Sequence, residues 1–324
     1  MRIFDELYGT VELDGVLAEL INSPPVQRLN GVHQGGASYL VNPDWDVTRF
    51  DHSIGVMLLV KKLGGTLEEQ VASLLHDVSH TAFSHVSDLV FDHKKEDYHE
   101  FIYEQVVACS SIPAILRREG MDWKKLLLDD SKWTLLEQSA PELCADRVDY
   151  TLRDMYTYGI ITLEQVHWFL AQLAVVNGRM FCTDLSAAEW FVETYYKEVI
   201  DFFMNPLNIY GYDRLALVLK RALAIEVVSK EDFLKEDHQL IAQLSTSDDH
   251  EIKALLDELS TDVELEETLE DYHIHRKTKV RLIDPSVATD GSLVPASTLS
   301  KQIRVMNEAA KAKAEKGVYL KVYY

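Results

Sequence analysis

The chain has 324 residues, 47% of them hydrophobic, enough for one large domain or a main domain with an appendage. Fifty-three acidic against 32 basic residues give a formal charge of −21, so the basic footprint of a general nucleic-acid binder is missing. Cys109, Cys144 and Cys182 form no CxxC pair, which excludes a disulfide framework and a cysteine zinc knuckle and fits a reducing compartment. MRIFDELYGTVELDG has acids where a signal peptide needs an apolar run, and no stretch approaches the roughly 18 apolar residues of a membrane span. The expected setting is cytoplasmic, with no membrane attachment.

In chain order, TRFDHSIGVMLLVKKLGG predicts a helix with Phe50, Ile54, Met57, Leu58 and Val60 on one side, stopped at Gly64-Gly65. TLEEQVASLLHDVSH opens with Thr66 and Glu69 at capping-box spacing and turns Val71, Leu74 and Leu75 inward. PELCADRVDYTLRDMYTY reads as a helix over 141–158 with Pro141 in its first turn. Two further amphipathic helices are expected over 186–204 and 213–228.

Charge then becomes uneven. Residues 229–271 hold 15 acids and 3 bases, a net of −12, and IAQL, IKALLDEL and VELEETL recur at helical spacing, as in a pair of solvated helices. Residues 272–324 hold 10 bases and 4 acids. There KTKVRLIDP and GVYLKVYY alternate like strands, around a turn-rich stretch and a helix near 300–315. The expected fold is mainly α, with a helical domain over 1–228, an acidic helical segment over 229–271 and a small α+β appendage over 272–324.

Histidines and aspartates gather in the first half. His52 in RFDHS, His76-Asp77 in LLHDVSH and Asp146 in CADRVDY offer two imidazoles and two carboxylates. Such a mixed N/O set suits Mn, Fe, Co, Ni or Zn, and sometimes Mg. The run from His76 to Asp88 adds His80, His85 and Asp88 and is dense in titratable groups. Arg49, Arg147 and Arg153 are candidate counter-charges for phosphate oxygens, because guanidinium presents a planar fork that matches them. Asp146, Tyr150 and Asp154 recur every fourth residue and would share one helix face. A zincin protease is disfavoured: no HExxH accompanies the His76/His80 pair.

The blocks INSPPVQRLNGVHQGGASYLVNP, TRFDHSIGV, ASLLHDVSHTAFSH, YHEF and ADRVDYTLRD lie in this order across roughly residues 6–160. Together they resemble the HD-domain phosphohydrolase superfamily, in particular its deoxynucleoside-triphosphate triphosphohydrolase branch. KVRLIDP near the C-terminus is a weaker echo.

The resemblance implies a helical HD fold with a divalent ion held by His52, His76, Asp77 and Asp146. It makes His85 a catalytic acid oriented by Asp88, with His80 and His99 as further phosphate-facing histidines, and it lays Gln34 and Gly35 against a sugar and base. The implied activity is hydrolysis of a phosphate ester or anhydride, on a nucleotide or similar small phosphorylated metabolite, by a homo-oligomer. Ser79 and Thr81 depart from the small residues the family prefers beside the metal. After Tyr195 there is no basic segment to grip a triphosphate, since NPLNIYGYDRLALVL offers only Arg214. The competing readings are a non-catalytic nucleotide-sensing or regulatory HD module and a di-iron oxygenase on the same fold, for which His80 and His99 would be additional ligands.

Overall fold

The Arg49–Lys62 helix occupies the centre of the molecule. Thr48 caps it by accepting the Asp51 N–H at 3.1 Å, and the chain leaves it at Gly64, φ +84°. Every residue from His52 to Val60 is buried, so this run of the helix has no solvent face. Ile54, Met57 and Leu58 enter one hydrophobic core, and Val56, Leu59 and Val60 enter a second on the opposite side. The one-sided pattern expected from the sequence is therefore two-sided. The computed structural model describes residues 1–323, apart from the side chain of Asp130.

The following helix, Leu67–Leu75, starts at Thr66, which accepts the Glu69 N–H at 3.2 Å. Glu69 does not complete the capping box; its carboxylate accepts the Leu135 N–H at 2.7 Å instead. The helix ends before the histidine, so His76 and Asp77 lie at its C-terminal end and in the turn beyond. The Ala145–Thr157 helix begins four residues later than expected, because the Ala145 and Asp146 N–H groups donate to Leu135 and Leu136 carbonyls. Pro141 sits in the preceding loop, after a cis peptide bond. Leu185–Tyr196 continues through a π-helical segment, Lys197–Phe202, and Pro206–Ala224 starts under an Asn205 cap.

Short strands complete the fold. β1 (Arg2–Asp5) and β2 (Gly9–Glu12) form an antiparallel hairpin. β3 (Leu173–Val176), β4 (Arg179–Cys182), β7 (Ser286–Thr289) and β8 (Ser292–Pro295) form a sheet in the order β3-β4-β7-β8. β5 (Glu264–Glu267), β6 (Ile274–Arg276) and β9 (Val318–Tyr323) form another, with β9 central. The late chain thus pairs with residues near 180 and with the acidic stretch.

Three late segments differ from expectation. The acidic stretch does supply helices, Asp237–Ser245 and His250–Asp257, and these bury Leu240, Leu244 and Ile252 in a core shared with the Pro206–Ala224 helix. VELEETL is not helical: Leu265 lies opposite Val322 in β5, with Glu264 and Glu266 turned outward, so the two-residue period prevails. KTKVRLIDP contains no strand; pairing stops at Arg276 and residues 277–285 run as an irregular strap. The last helix, Lys301–Lys316, matches expectation, and β9 follows Gly317 at φ +76°. Tyr324, the last residue of that expected strand, lies outside the described residues. Among the described residues no helix is long and apolar enough to cross a membrane.

Gly55 tests how tightly the central helix is packed. A Cβ there would collide with the Arg153 guanidinium and the Asp149 carboxylate. Replacing glycine by alanine in a helix ordinarily gains about 1 kcal/mol. Displacing a buried ion pair costs about 3–5 kcal/mol, so the net sign is destabilising. Gly55→Ala is expected to lower the denaturation midpoint, and an unchanged or raised midpoint would contradict this packing.

Candidate metal centre and active-site cavity

Three segments converge on one point. The central helix brings His52, the end of the Leu67–Leu75 helix brings His76 and Asp77, and the first turn of Ala145–Thr157 brings Asp146. His52 Nε2, His76 Nε2 and an Asp146 oxygen lie within 4.8 Å of one another. Asp77 closes the fourth side, Oδ2 at 3.8 Å from His52 Nε2 and Oδ1 at 3.4 Å from His76 Nε2.

Both imidazoles are held from behind. His76 Nδ1 donates to the Ser73 carbonyl at 2.7 Å, which leaves the Nε2 lone pair facing the cluster. That Nε2 is buried and close to two carboxylate oxygens, Asp77 Oδ1 at 3.4 Å and Asp146 Oδ1 at 3.5 Å. His52 Nδ1 lies 3.0 Å from Asp149 Oδ2 and its Nε2 lies 3.0 Å from Asp146 Oδ1. Burial would lower the His52 pKa, but the hydrogen bonds to Asp146 and Asp149 outweigh it and raise it to about 10. A proton between two carboxylates there occupies the place a cation would take. An imidazole fixed by a backbone carbonyl, a second imidazole fixed by a carboxylate and two further carboxylates fit a divalent ion of the Mn, Fe, Co, Ni or Zn kind.

Beside this cluster, His80 and His99 stack at 3.9 Å between ring centroids, and His85 stands edge-on to both. Burial, with Arg49 nearby, pushes His80 well down, and burial with the adjacent His85 lowers His99 to about 3, so both rings are neutral. Asp77, His80 and His99 also bring three donor atoms within 4.8 Å of one another. His85 Nδ1 lies 2.8 Å from Asp88 Oδ2. Burial opposes ionisation of Asp88, but the bonds from His85 and the Tyr98 N–H hold its pKa below the usual carboxylate value. An ionised Asp88 can only accept, so His85 donates through Nδ1 and turns Nε2 outward.

The turn that presents His85 is held from a distance. Phe83 and Ser84 both have positive φ, +58° and +47°. Asp237, from the acidic stretch, accepts the Phe83 N–H at 2.7 Å and the His33 N–H at 3.0 Å, and its Oδ2 lies 2.8 Å from His33 Nδ1. Arg28 donates to the Val78 and His80 carbonyls at 3.1 and 2.6 Å. None of these partners was singled out from the sequence, because each acts across 50 residues or more.

All of this opens into a cavity of about 1000 Å³. Its wall includes His52, His76, Asp77, Asp146, His80, His85 and His99, with Asp88 behind His85. Gln34, Gly35, Arg49, Arg147, Tyr150 and Asp154 are also in the wall. Arg49 donates to Asp77 at 2.7 Å and to Ser84 Oγ at 3.0 Å, Arg147 donates to Glu137 at 2.7 Å, and the Tyr150 and Tyr195 hydroxyls are 3.3 Å apart.

Arg153 does not reach the cavity, which corrects its expected substrate role. It is buried behind His52, with its Nε 2.9 Å from Asp149 Oδ2 and Nη2 2.9 Å from Asp5 Oδ2. A surface pair of this kind would contribute under about 1 kcal/mol. Buried, it holds the carboxylate that orients His52. The structure also brings residues to the wall that sequence reasoning did not assign: Glu96, Tyr103, Glu137, Arg276 and the strap residues Thr278 to Arg281. The basic content of KTKVRLIDP was a signal for the last of these.

Asp154 lies in the wall next to Glu198 on the π-helical segment, and burial raises the Asp154 pKa to about 7 and that of Glu198 well above its usual range. Unfolded, Asp154 returns to near 3.8, so the folded state binds the extra proton between these values and stability falls as pH rises from about 4 to 7. Asp154→Asn removes that titration. Denaturation between about pH 5 and 8 is expected to give a flatter profile for the variant, more stable than the parent at the alkaline end, and an unchanged slope would contradict the assignment.

Comparison with known proteins agrees with this geometry. The HD domain family model matches residues 49–154, the span from Arg49 to Asp154. The chain is 57% identical over 322 residues to the uncharacterized protein YdhJ of Bacillus subtilis, covering 99% of each. It is 32% identical over 306 residues to the metal-dependent phosphohydrolase cns2 of Cordyceps militaris, covering 91% of this chain and 87% of that one. Similarity to the deoxynucleoside triphosphate triphosphohydrolase SAMHD1 of Danio rerio is 29% over 238 residues, covering 56% of this chain and 38% of that protein. With a relative of that identity and coverage bearing the name, and the HD motif set around a single cavity, the chain belongs to the HD-domain family of metal-dependent phosphohydrolases, which use divalent metal ions.

Proposed function

We propose that this protein hydrolyses a phosphate ester or anhydride of a nucleotide or similar small phosphorylated metabolite, with His52, His76, Asp77 and Asp146 holding the divalent ion. The observation that carries this reading is the convergence of His52, His76, Asp77 and Asp146 on one point, with the buried His76 Nε2 at 3.4 and 3.5 Å from two carboxylate oxygens, on the wall of a cavity that also presents three imidazoles. When bound, the ion polarises a phosphoryl oxygen and acidifies water.

The chain's own groups do the rest. Asp149 and the Ser73 carbonyl orient the two imidazoles, and Arg49 fixes Asp77. His85, oriented by Asp88, is placed to give a proton to the leaving oxygen, as its outward Nε2 faces the cavity. Gln34, Tyr150 and Asp154 offer hydrogen bonds to the hydroxyl-bearing part of a substrate, and Arg147 faces its phosphate. The cavity holds a nucleotide with room to spare, and a nucleotide substrate accords with the activity for which SAMHD1 is named. The second donor set, Asp77, His80 and His99, keeps a two-ion site in view, the arrangement a di-iron oxygenase needs; one ion per chain would argue against it.

The test is a panel of nucleoside mono-, di- and triphosphates and generic phosphoesters, incubated with protein loaded with each candidate metal, with released phosphate, pyrophosphate and triphosphate as the readout. Turnover is expected to disappear with metal binding in the His76→Ala/Asp77→Ala double variant. His85→Ala is expected to keep its metal and lose roughly 10²-fold or more in kcat. No turnover with any metal, alongside measurable nucleotide binding, would overturn the hydrolase in favour of a nucleotide sensor.

A further inference from the structure

The strap over residues 277–285 has neither helix nor strand, yet it is firmly seated at both ends. Upstream it leaves β6, where Ile274 and Arg276 pair with β9. A Cβ on Gly317 would lie 2.5 Å from the Arg276 carbonyl, so glycine permits that close approach. Downstream, Ile283 is buried in the main core, the Asp284 N–H donates to the Pro141 carbonyl at 2.8 Å, and its carboxylate accepts from the Ser297 N–H and hydroxyl. Between these anchors Arg276, Thr278, Lys279, Val280 and Arg281 form one wall of the cavity.

The cations of the cavity are not equivalent. Arg49 is paired with Asp77 at 2.7 Å, Arg147 with Glu137 at 2.7 Å and Arg281 with Glu96 at 2.5 Å. Arg276 and Lys279 have no carboxylate within ion-pair distance among the described residues; the Arg276 guanidinium lies over the Tyr212 ring, 5.7 Å from its centroid. Glu96 also accepts the Lys279 N–H, so one carboxylate sets the middle of the strap. Arg276 stands within electrostatic reach of Asp88 and Glu96, on the side of the cavity that carries His85.

A half-buried guanidinium, braced on an aromatic face and in ion-pair contact with no carboxylate among the described residues, is suited to an anion that is not part of the protein. We propose that Arg276, assisted by Lys279, binds phosphate oxygens of the substrate, and that the strap is thereby the phosphate clamp missing after Tyr195. Arg214, the one basic residue of that earlier region, is paired with Asp213 and Glu258, both at 2.8 Å, and does not line the cavity. Glu96 is a positioning residue: it holds Arg281 and the Lys279 backbone so that Arg276 faces inward. The inference rests on the phosphohydrolase reading for its substrate, but the anion site stands or falls separately.

Orthophosphate and pyrophosphate binding to the metal-loaded protein, measured by calorimetry, tests it without requiring turnover. Arg276→Met keeps the apolar stem over Tyr212 and removes the charge. It is expected to weaken binding of both anions by roughly 10- to 100-fold while the denaturation midpoint stays in place, and Arg276→Lys is expected to fall between. Where a phosphoester substrate is in hand, KM rises by a similar factor and kcat changes less than about threefold. If the methionine variant does not fold, the lysine variant decides, since loss of the planar fork alone weakens anion binding. Unchanged affinity and KM, or no phosphate binding by the parent, would overturn the clamp even in an active hydrolase. Arg276-dependent phosphate binding in a protein that hydrolyses nothing would keep the clamp and sink the hydrolase.

Discussion

The site depends on the way His52 is held. A buried imidazole loses its hydration, and each ring nitrogen must find a partner inside the protein. Here Asp149 takes Nδ1 and Asp146 stands at Nε2. Asp149 could not stay ionised there alone. Arg153 neutralises it, Asp5 shares the guanidinium, and Tyr8 donates its hydroxyl to Asp149 at 2.8 Å. Gly55 leaves the space in which this pair meets the central helix. A chain of charges therefore runs from the N-terminal hairpin to the wall of the cavity, alternating in sign, and it fixes the His52 ring so that Nε2 faces the cluster.

The same principle organises the rest of the cavity. Arg49 holds Asp77, Asp88 holds His85, Glu137 holds Arg147 and Glu96 holds Arg281. Nearly every charge facing the cavity is fixed by one behind it, which limits reorganisation when a charged substrate enters. Asp237 extends this to the backbone: its two oxygens stabilise the left-handed turn at Phe83 and the loop at His33 together. The acidic stretch, which reads as a solvated surface, thus supplies an anchor to the turn that carries the histidines.

Much of this was legible in the sequence, and the boundary has a physical cause. The HD blocks, the Gly64-Gly65 stop and the Thr66 start are local patterns, and the structure contains them. His52, His76, Asp77 and Asp146 could be grouped from their order along the chain. What could not be read were partners set by long-range packing. Arg153 reads as a counter-charge for phosphate oxygens, and only the hairpin carrying Asp5, 148 residues away, shows it to be buried behind the site. Val60 falls on the same helical stripe as Ile54 only if one core is assumed, and there are two. VELEETL satisfies both the helical and the strand period, and β9 decides between them. In KTKVRLIDP, alternation suggests a strand, but Glu96, 185 residues from Arg281, takes its hydrogen bonds and no strand partner is left.

The most direct measurement is the metal content and metal affinity of Asp149→Asn beside the parent protein. Asp149 touches no proposed ligand except His52, and it lies behind the ring. Removing its charge while preserving its shape takes one partner from the buried Arg153 pair, so the denaturation midpoint is expected to fall, and in the folded variant metal binding is expected to weaken by about 10- to 100-fold. Parent-like affinity in a folded variant would show that His52 is not held for a metal by this carboxylate, and the account of the site would fail at its first step.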